Sequence, residues 1–216
     1  MVARRMTFGP FPPFTQTQLE RRRPVWDALG DLYLDTDTRP DLPRMARVLA
    51  ESGLSEAELN SIWQEEVTPA LAFNLSVVAG EWVSFNLDWL EQRIVRRRGY
   101  RYLVRRWLPL TWLLQRVWPN GMQPYSQTVM TLCGELLALP ELERHTRADL
   151  WQWIAFSYFW PDTPIFQTLP PGAEELGAVF AELEPHLRPL LNASDTKKMR
   201  LEPRRAHVLK RVRDNQ

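Results

Sequence analysis

The chain has 216 residues, of which 44% are hydrophobic and 25% charged, so it is long enough to bury the core of one domain. Its single cysteine, Cys133, excludes an intrachain disulfide, which argues against a disulfide-stabilised secreted scaffold and favours a reducing compartment. The formal net charge of +1 excludes neither an acidic nor a basic partner, because strong blocks of opposite sign cancel in it.

The chain begins with an arm that is rich in proline and phenylalanine. Residues 1–18 favour an extended, polyproline-like path, and their phenylalanines can pack against the body of the protein. Pro24 suits the first turn of a helix, and apolar residues at helical spacing continue from there to Tyr33. Pro40 ends this helix, because the residue before a proline disfavours helical geometry.

Helix signals then follow one another closely. Pro43 opens a second helix, and Ser55 with Glu58 forms a capping box, which predicts the start of a third. Pro69 either breaks that helix or starts another one. The apolar stretch 70–82 is expected in the core and is ended or kinked at Gly80.

The second half of the sequence also reads as a succession of helices and shows no convincing strand, hairpin or internal repeat. The sequence predicts an all-α, irregular multi-helix bundle in a single domain. The domain is expected to span residues 19–191, with a weak subdivision near 119–125 and a basic tail at 192–216. Further helices are predicted at 88–100, 101–117 (interrupted at Pro109), 126–139, 147–160 (with Thr146 and Asp149 resembling a capping box) and 173–191; 119–127 is predicted to be a loop.

Charge is distributed in blocks along the chain. Residues 26–91 contain thirteen acidic residues against three arginines, whereas residues 92–116 contain eight arginines and no acidic residue. Residues 197–213 are basic again. Such blocks either pair within the fold, form solvated faces, or attract partners of opposite charge. Guanidinium groups suit carboxylates and phosphates equally, so composition leaves these uses open.

Aspartates concentrate near the first helix. Asp27 and Asp31 lie four residues apart on one helix face, and Asp35 and Asp37 fall near the helix C-terminus, where the helix dipole disfavours anions. A cation is therefore expected to offset that cost. The candidates are Arg21, Arg22 and Arg23, the arginines at 93–106, or a partner protein.

No known metal or nucleotide motif supports chemistry at these aspartates. A calcium loop starting at Asp35 would place arginine, proline and alanine where an oxygen ligand, glycine and glutamate are required. The sequence contains no HExxH, CxxC pair, GxGxxG or P-loop. We therefore predict no catalytic residue, no metal site and no cofactor, although a magnesium site of one or two carboxylates is conceivable.

Two apolar regions carry side chains that suit either a core or an interface. Glu81 lies among apolar residues, where a salt-bridged carboxylate is favoured over a general acid. Aromatic residues cluster from Trp151 to Trp160, which predicts a core segment that leaves an exposed interface patch if it is aromatic on every side.

Membrane and export signals are weak. The uncharged run from Trp107 to Gln115 is far shorter than the roughly 20 residues that a membrane-spanning helix needs. Glycine and prolines interrupt residues 1–14, so no signal peptide is evident. We predict no transmembrane helix and leave an interfacial helix open.

The stretch "RRRPVWDALGDLYLDTD" and the later segment "NLSVVAGEW" resemble a bacterial family of unknown function. Its members show a similar R-R-x-x-W-x-A-L-x-D-L-x-L-D-T opening and a similar N-L-x-x-V-A-G-E-W segment, and the resemblance covers residues 20–95. It implies a bacterial, cytoplasmic, helical protein, and no activity. The matched positions of interest are Arg22, Trp26, Asp31, Asp35, Asn74, Glu81 and Trp82.

Three functions follow as hypotheses. The leading one is a non-enzymatic protein that binds a basic partner protein, such as an adaptor or a bacterial immunity protein that neutralises a toxin. The second is a nucleic-acid-associated protein that uses the arginine block at 93–116, and the third is a metal-dependent enzyme that uses the aspartates. The predicted partner-binding residues are Trp26, Asp27, Asp31, Asp35, Asp37, Glu81 and Trp82, and the predicted basic patch is Arg93, Arg96, Arg97, Arg98, Arg101, Arg105 and Arg106.

Overall fold

The fold is known from a computed structural model. It describes residues 14–34, 37–71, 86–107, 123–160 and 175–191, together with Lys210, and includes their side chains except those of residues 98–107 and 123. Every regular element in these ranges is helical, so the predicted all-α class is confirmed.

Contacts within the chain divide it into two compact units, each assembled from two stretches of sequence. Unit 1 comprises residues 1–36 and 52–122, and unit 2 comprises residues 37–51 and 123–216. The boundary after Met122 falls inside the range 119–125 that the sequence marked as a weak subdivision. The prediction of a single domain stays a prediction.

The described helices of unit 1 all come from residues 14–107. Helix α1 (Gln16–Gly30) comes first and is followed by a 3-10 turn at Asp31–Tyr33. A second helical stretch consists of α3 (Glu56–Ile62), a π-helical turn (Trp63–Val67) and α4 (Thr68–Leu71). The long helix α5 (Leu87–Trp107) follows.

Helix α1 begins eight residues earlier than the position of Pro24 predicts. Thr15 and Gln18 form a capping box: the Gln18 backbone N–H donates to Thr15 Oγ1 at 3.2 Å, and the Thr15 N–H donates to Gln18 Oε1 at 3.0 Å. Since these bonds satisfy backbone donors at the helix start, the chain is helical from Gln16 and Pro24 lies inside the helix. The predicted arm of residues 1–18 therefore overlaps the helix.

The core of unit 1 lies between α1, the second helical stretch and α5. Val25, Trp26 and Leu29 are fully buried on α1. The predicted capping box of Ser55 and Glu58 is confirmed, with the Ser55 N–H donating to Glu58 Oε2 at 2.9 Å. The chain stays helical through Pro69, which therefore does not end the stretch.

Helix α5 is one continuous helix where the sequence predicted two. Its backbone passes through residues 99–101 without a break. Leu90 and Ile94 are buried, whereas Trp89 and Val95 are 38% and 41% exposed, so the described part of α5 presents one apolar face inward. The predicted interruption at Pro109 lies outside the described residues.

The described elements of unit 2 are a 3-10 turn (Arg39–Asp41), α2 (Leu42–Glu51), α6 (Gln123–Ala138), α7 (Glu141–Phe159), α8 (Leu176–Leu187) and a 3-10 turn (Arg188–Leu190). Helix α2 contacts both α6 and α7, and α7 also packs on α8. Helix α2 starts one residue before Pro43, as predicted.

Two helix starts in unit 2 were predicted too late. Helix α6 begins at Gln123, within the predicted loop 119–127, because Pro124 is well tolerated in a first helical turn. Helix α7 begins at Glu141, directly after Pro140, so Thr146 lies inside the helix and caps nothing.

The aromatic cluster of α7 lies mainly in the core of unit 2. Trp151, Trp153 and Tyr158 are at most 3% exposed, and Phe159 is 6% exposed. Trp160, at the helix end, is half-buried. The core assignment of this segment is therefore confirmed.

Candidate functional site

Three consecutive arginines of α1 each contact a different part of unit 1. The Arg21 guanidinium donates to the backbone carbonyls of Ser52 and Gly53. Gly53 has a φ of +64°, a left-handed conformation that glycine adopts without strain. This arginine therefore holds the turn that precedes α3.

The second arginine belongs to a half-buried network with a tryptophan and a glutamate. Arg22 Nη1 donates to Glu66 Oε1 at 2.9 Å, and Trp26 Nε1 donates to Glu66 Oε2 at 2.8 Å. The side chains of Arg22 and Glu66 are only 16% and 14% exposed. Phe14 covers this network, with its ring 5.2 Å from the Arg22 guanidinium and 5.6 Å from the Trp26 ring. Both oxygens of Glu66 are therefore occupied by structural partners.

The third arginine joins α1 to α5. Arg23 donates to Asp88 at 2.7 Å and to Glu91 at 2.6 Å. The hydrogen bond that Arg23 donates to Asp88 is the main reason that the pKa of Arg23 lies above its ordinary value. The two acidic residues at the start of α5 are thus paired with α1.

The predicted aspartate cluster is divided between the two units. Asp27 is exposed on α1 and Asp31 is half-buried at the 3-10 turn, both in unit 1, whereas Asp37 belongs to unit 2. Asp35 lies outside the described residues. Among the described side chains, no group of three or more histidines, cysteines or acidic residues is placed to hold a metal ion.

The cation beside Asp37 is Arg39, which was not among the expected candidates. Arg39 Nε and Nη2 donate to the two oxygens of Asp37 at 2.7 and 2.6 Å. Arg39 is 7% exposed, stacks over Phe159 at 4.7 Å and donates to the Leu190 carbonyl. Partial burial alone would raise the pKa of Asp37, but the bonds and charge of Arg39 outweigh it and hold that pKa below its usual range.

The arginines of α5 differ from those of α1. Arg96 and Arg97 are exposed and Arg93 is half-buried. Three and four residues separate Arg93 from the other two, so the three side chains share one helix face. Within the part of the chain that the structure describes, no carboxylate lies within ion-pairing distance of any of them. We call these three residues the arginine face of α5.

Electrostatics at the arginine face are unfavourable in the isolated protein. Although the Arg97 side chain is exposed by area, neighbouring protein atoms partly desolvate its guanidinium. This desolvation, and then the nearby charge of Arg93, lower the pKa of Arg97 from its ordinary value. The Arg93 guanidinium lies 4.9 Å from the centre of the Trp89 ring, and its buried Nε has no hydrogen-bond partner. No carboxylate of the described residues offsets the repulsion between these guanidiniums, so an added anion would be stabilised here.

The other predicted site residues either belong to unit 1 or lie outside the described residues. Trp26 is completely buried in unit 1, which removes it from any partner-binding surface. Glu81 and Trp82 lie outside the described residues. The backbone of α5 carries Arg98, Arg101, Arg105 and Arg106 along the same continuous helix.

Sequence reasoning missed two residues that organise these sites. Glu66 lies 44 residues from Arg22, and no local pattern links them. Arg39 is two residues from Asp37, so their closeness in the sequence could have revealed the pair. The proline after Arg39 was interpreted only as the end of a helix.

The chain also matches a known family over residues 20–132, just over half of its length. It belongs to the family described as Domain of unknown function (DUF7079). The predicted membership of a family of unknown function is confirmed, over a longer stretch than residues 20–95. No curated protein and no solved structure matches the chain.

Among the described residues, none of the helices combines the length and the apolar character needed to cross a bilayer.

Proposed function

We propose that the protein works by binding a polyanionic partner through the arginine face of α5. The observation that carries the proposal is the contrast in pairing within unit 1. The two acidic side chains at the start of α5 are bonded to Arg23, whereas Arg93, Arg96 and Arg97 have no described carboxylate in reach. Exposed guanidiniums on one helix face attract an anion and can bind it bidentately.

Binding is favoured over chemistry because the carboxylates of the two arginine networks, Glu66 and Asp37, are already occupied. Glu66 accepts hydrogen bonds from Arg22 and Trp26, and Asp37 accepts from Arg39 and, at 3.3 Å, from Trp160. A general acid or base needs an oxygen that is available to a substrate. Neither of these groups offers one.

Retention on immobilised heparin tests the proposal. We expect the protein to bind at low salt and to elute at lower salt once Arg96 is reversed in the R96E variant. R188E is the matched control, because Arg188 is also exposed and its reversal changes the net charge equally. Absence of retention at low salt, or equal elution of R96E and R188E, contradicts the proposal.

A second candidate function uses the outer face of α1. Glu20 and Asp27 are exposed there, seven residues apart and hence on one helix face, with the half-buried Asp31 four residues further on. This face suits a basic partner protein, of which a toxin neutralised by an immunity protein is one concrete form. The D27N/D31N variant should lose a salt-sensitive protein partner in a pull-down from the host, whereas E56Q/E143Q, which neutralises exposed acids elsewhere, should keep it.

A further inference from the structure

The packing of α5 indicates which class of polyanion it binds, and this inference rests on the proposed function. Helix α5 buries Leu90 and Ile94 in unit 1, and Leu90 is completely inaccessible. An interfacial membrane helix needs its apolar face free to enter the lipid. In the described part of α5 that face is already used inside the protein. Trp89 and Val95 are exposed outside it, but they are six residues apart and lie on different sides of the helix, so they form no apolar stripe.

Arginines recur along the continuous backbone of α5. Seven occur from Arg93 to Arg106, and residues 92–116 include no acidic residue. The helical rise places this stretch within about 20 Å. One strand of a nucleic acid duplex presents about six phosphates over that length. The number of arginines along the helix is therefore comparable to the number of phosphates along a nucleic acid strand of the same length.

The identity and support of the side chains also fit phosphate. The block contains arginine and no lysine. Arginine forms paired hydrogen bonds with phosphate oxygens and also stacks on aromatic rings. Arg93 is stacked on Trp89, which holds its guanidinium in place before any ligand arrives. Such preorganisation reduces the entropy lost on binding.

From these observations we infer that the polyanion is a nucleic acid, bound through its phosphodiester backbone along the arginine face of α5 and therefore with little sequence preference. Contacts to phosphate position a nucleic acid without reading its bases. Binding of this kind releases counterions and weakens steeply as salt increases.

Filter binding at a series of salt concentrations tests the inference. The probes are a single-stranded RNA, a single-stranded DNA and a DNA duplex, which distinguish the possible sources of the backbone. We expect binding at about 50 mM salt to at least one of them, with a logarithm of affinity that falls linearly with the logarithm of salt. In the R96Q/R97Q variant the magnitude of this slope should fall by about 1.4–1.8, because each lost phosphate contact removes about 0.7–0.9.

The matched pair R96E and R188E controls for net charge. R96E should bind nucleic acid at least about tenfold more weakly than R188E, since it loses a charged hydrogen bond to phosphate. Equal affinities would show that binding depends on total charge and not on α5, and would overturn the inference. Circular dichroism of both variants should show unchanged helix content.

Two further probes separate failure of the inference from failure of the proposed function. Poly-L-glutamate represents an acidic protein, and phosphatidylserine vesicles represent a membrane. Binding to either of these without binding to nucleic acid would overturn the inference and leave polyanion binding standing. Binding to none of the probes at low salt would contradict both.

Discussion

The arginines of α1 and those of α5 carry the same charge in the same unit, but they differ in their hydrogen-bond and ion-pair partners. Arg21, Arg22 and Arg23 each meet an oxygen acceptor from a distant part of unit 1. Arg93 and Arg96 meet none among the described residues. The distinction lies in the neighbours of each helix: carboxylates and carbonyls of unit 1 contact the α1 arginines, whereas no described carboxylate is within reach of the arginine face of α5.

A run of arginines therefore has no single structural role in this chain. Where a carboxylate is half-buried, as Glu66 is, its arginine contributes to folding because both charges would otherwise be left unpaired in a poorly hydrated site. Where no carboxylate is near, the arginine adds repulsion to the fold and is available to a partner. Substitutions should therefore separate the two sets into effects on stability and effects on binding.

The largest effect on stability is expected from the E66A substitution. It leaves Arg22 and the Trp26 indole without their acceptor in a half-buried site. We expect the free energy of unfolding to fall by about 2–4 kcal/mol, measured by denaturant titration. E56A, which removes an exposed glutamate from the same helical stretch, should change it by less than about 0.5 kcal/mol. Similar losses for both would show that the network has no special role.

The next effect concerns Asp37 and Arg39, the corresponding pair in unit 2. Because the folded pKa of Asp37 lies below its unfolded value, the pair stabilises the protein at pH values above the unfolded pKa. That stability is lost as pH falls through the folded pKa. D37N should lower the free energy of unfolding by about 1–2 kcal/mol near neutral pH and flatten its dependence on acid pH. An unchanged acid dependence in D37N would assign it to other carboxylates.

A smaller effect is expected at Arg23, whose pairs with Asp88 and Glu91 are more exposed to solvent than the Arg22 pair. Water and salt screen such pairs. R23Q should therefore destabilise the protein less than E66A does, and added salt should reduce the difference between R23Q and the unmodified protein. A loss as large as that of E66A, insensitive to salt, would contradict this ranking.

The smallest effect on stability is expected for R96Q/R97Q. Neither side chain has a described partner, and removal of their charges relieves repulsion around Arg93. We expect the unfolding free energy to stay within about 0.5 kcal/mol of the unmodified protein. A clear destabilisation would mean that these arginines serve the fold after all.

Much of the fold was predictable because its signals are local. Pro43 and the Ser55 capping box marked helix starts correctly, and apolar spacing indicated the helical run that includes Leu29. Trp26 lies in the same run and is buried, so its prediction as a partner-binding residue was wrong. Helix α1 was predicted to start too late because Pro24 suits a first helical turn, and the capping box of Thr15 and Gln18 was not recognised in the sequence. Tertiary packing carries α1 through a proline that local propensity alone would place at its start.

The charge pairs were less predictable because they depend on distance in space. The sequence showed that acidic and basic blocks exist, and it left open which arginine meets which carboxylate. Arg23 lies 65 and 68 residues from its two acceptors. The arginine face of α5 becomes visible only once the fold shows where Asp88 and Glu91 are bonded.

To test directly whether the α5 arginines bind an external anion, we would measure the unfolding temperatures of the protein and of R96Q/R97Q at low salt, with and without inorganic polyphosphate. A ligand that binds only the folded state raises its unfolding temperature. We predict a rise of several degrees for the unmodified protein and little or none for R96Q/R97Q, with equal unfolding temperatures when polyphosphate is absent. Equal rises in both proteins would contradict the assignment of the α5 arginines to an external anion.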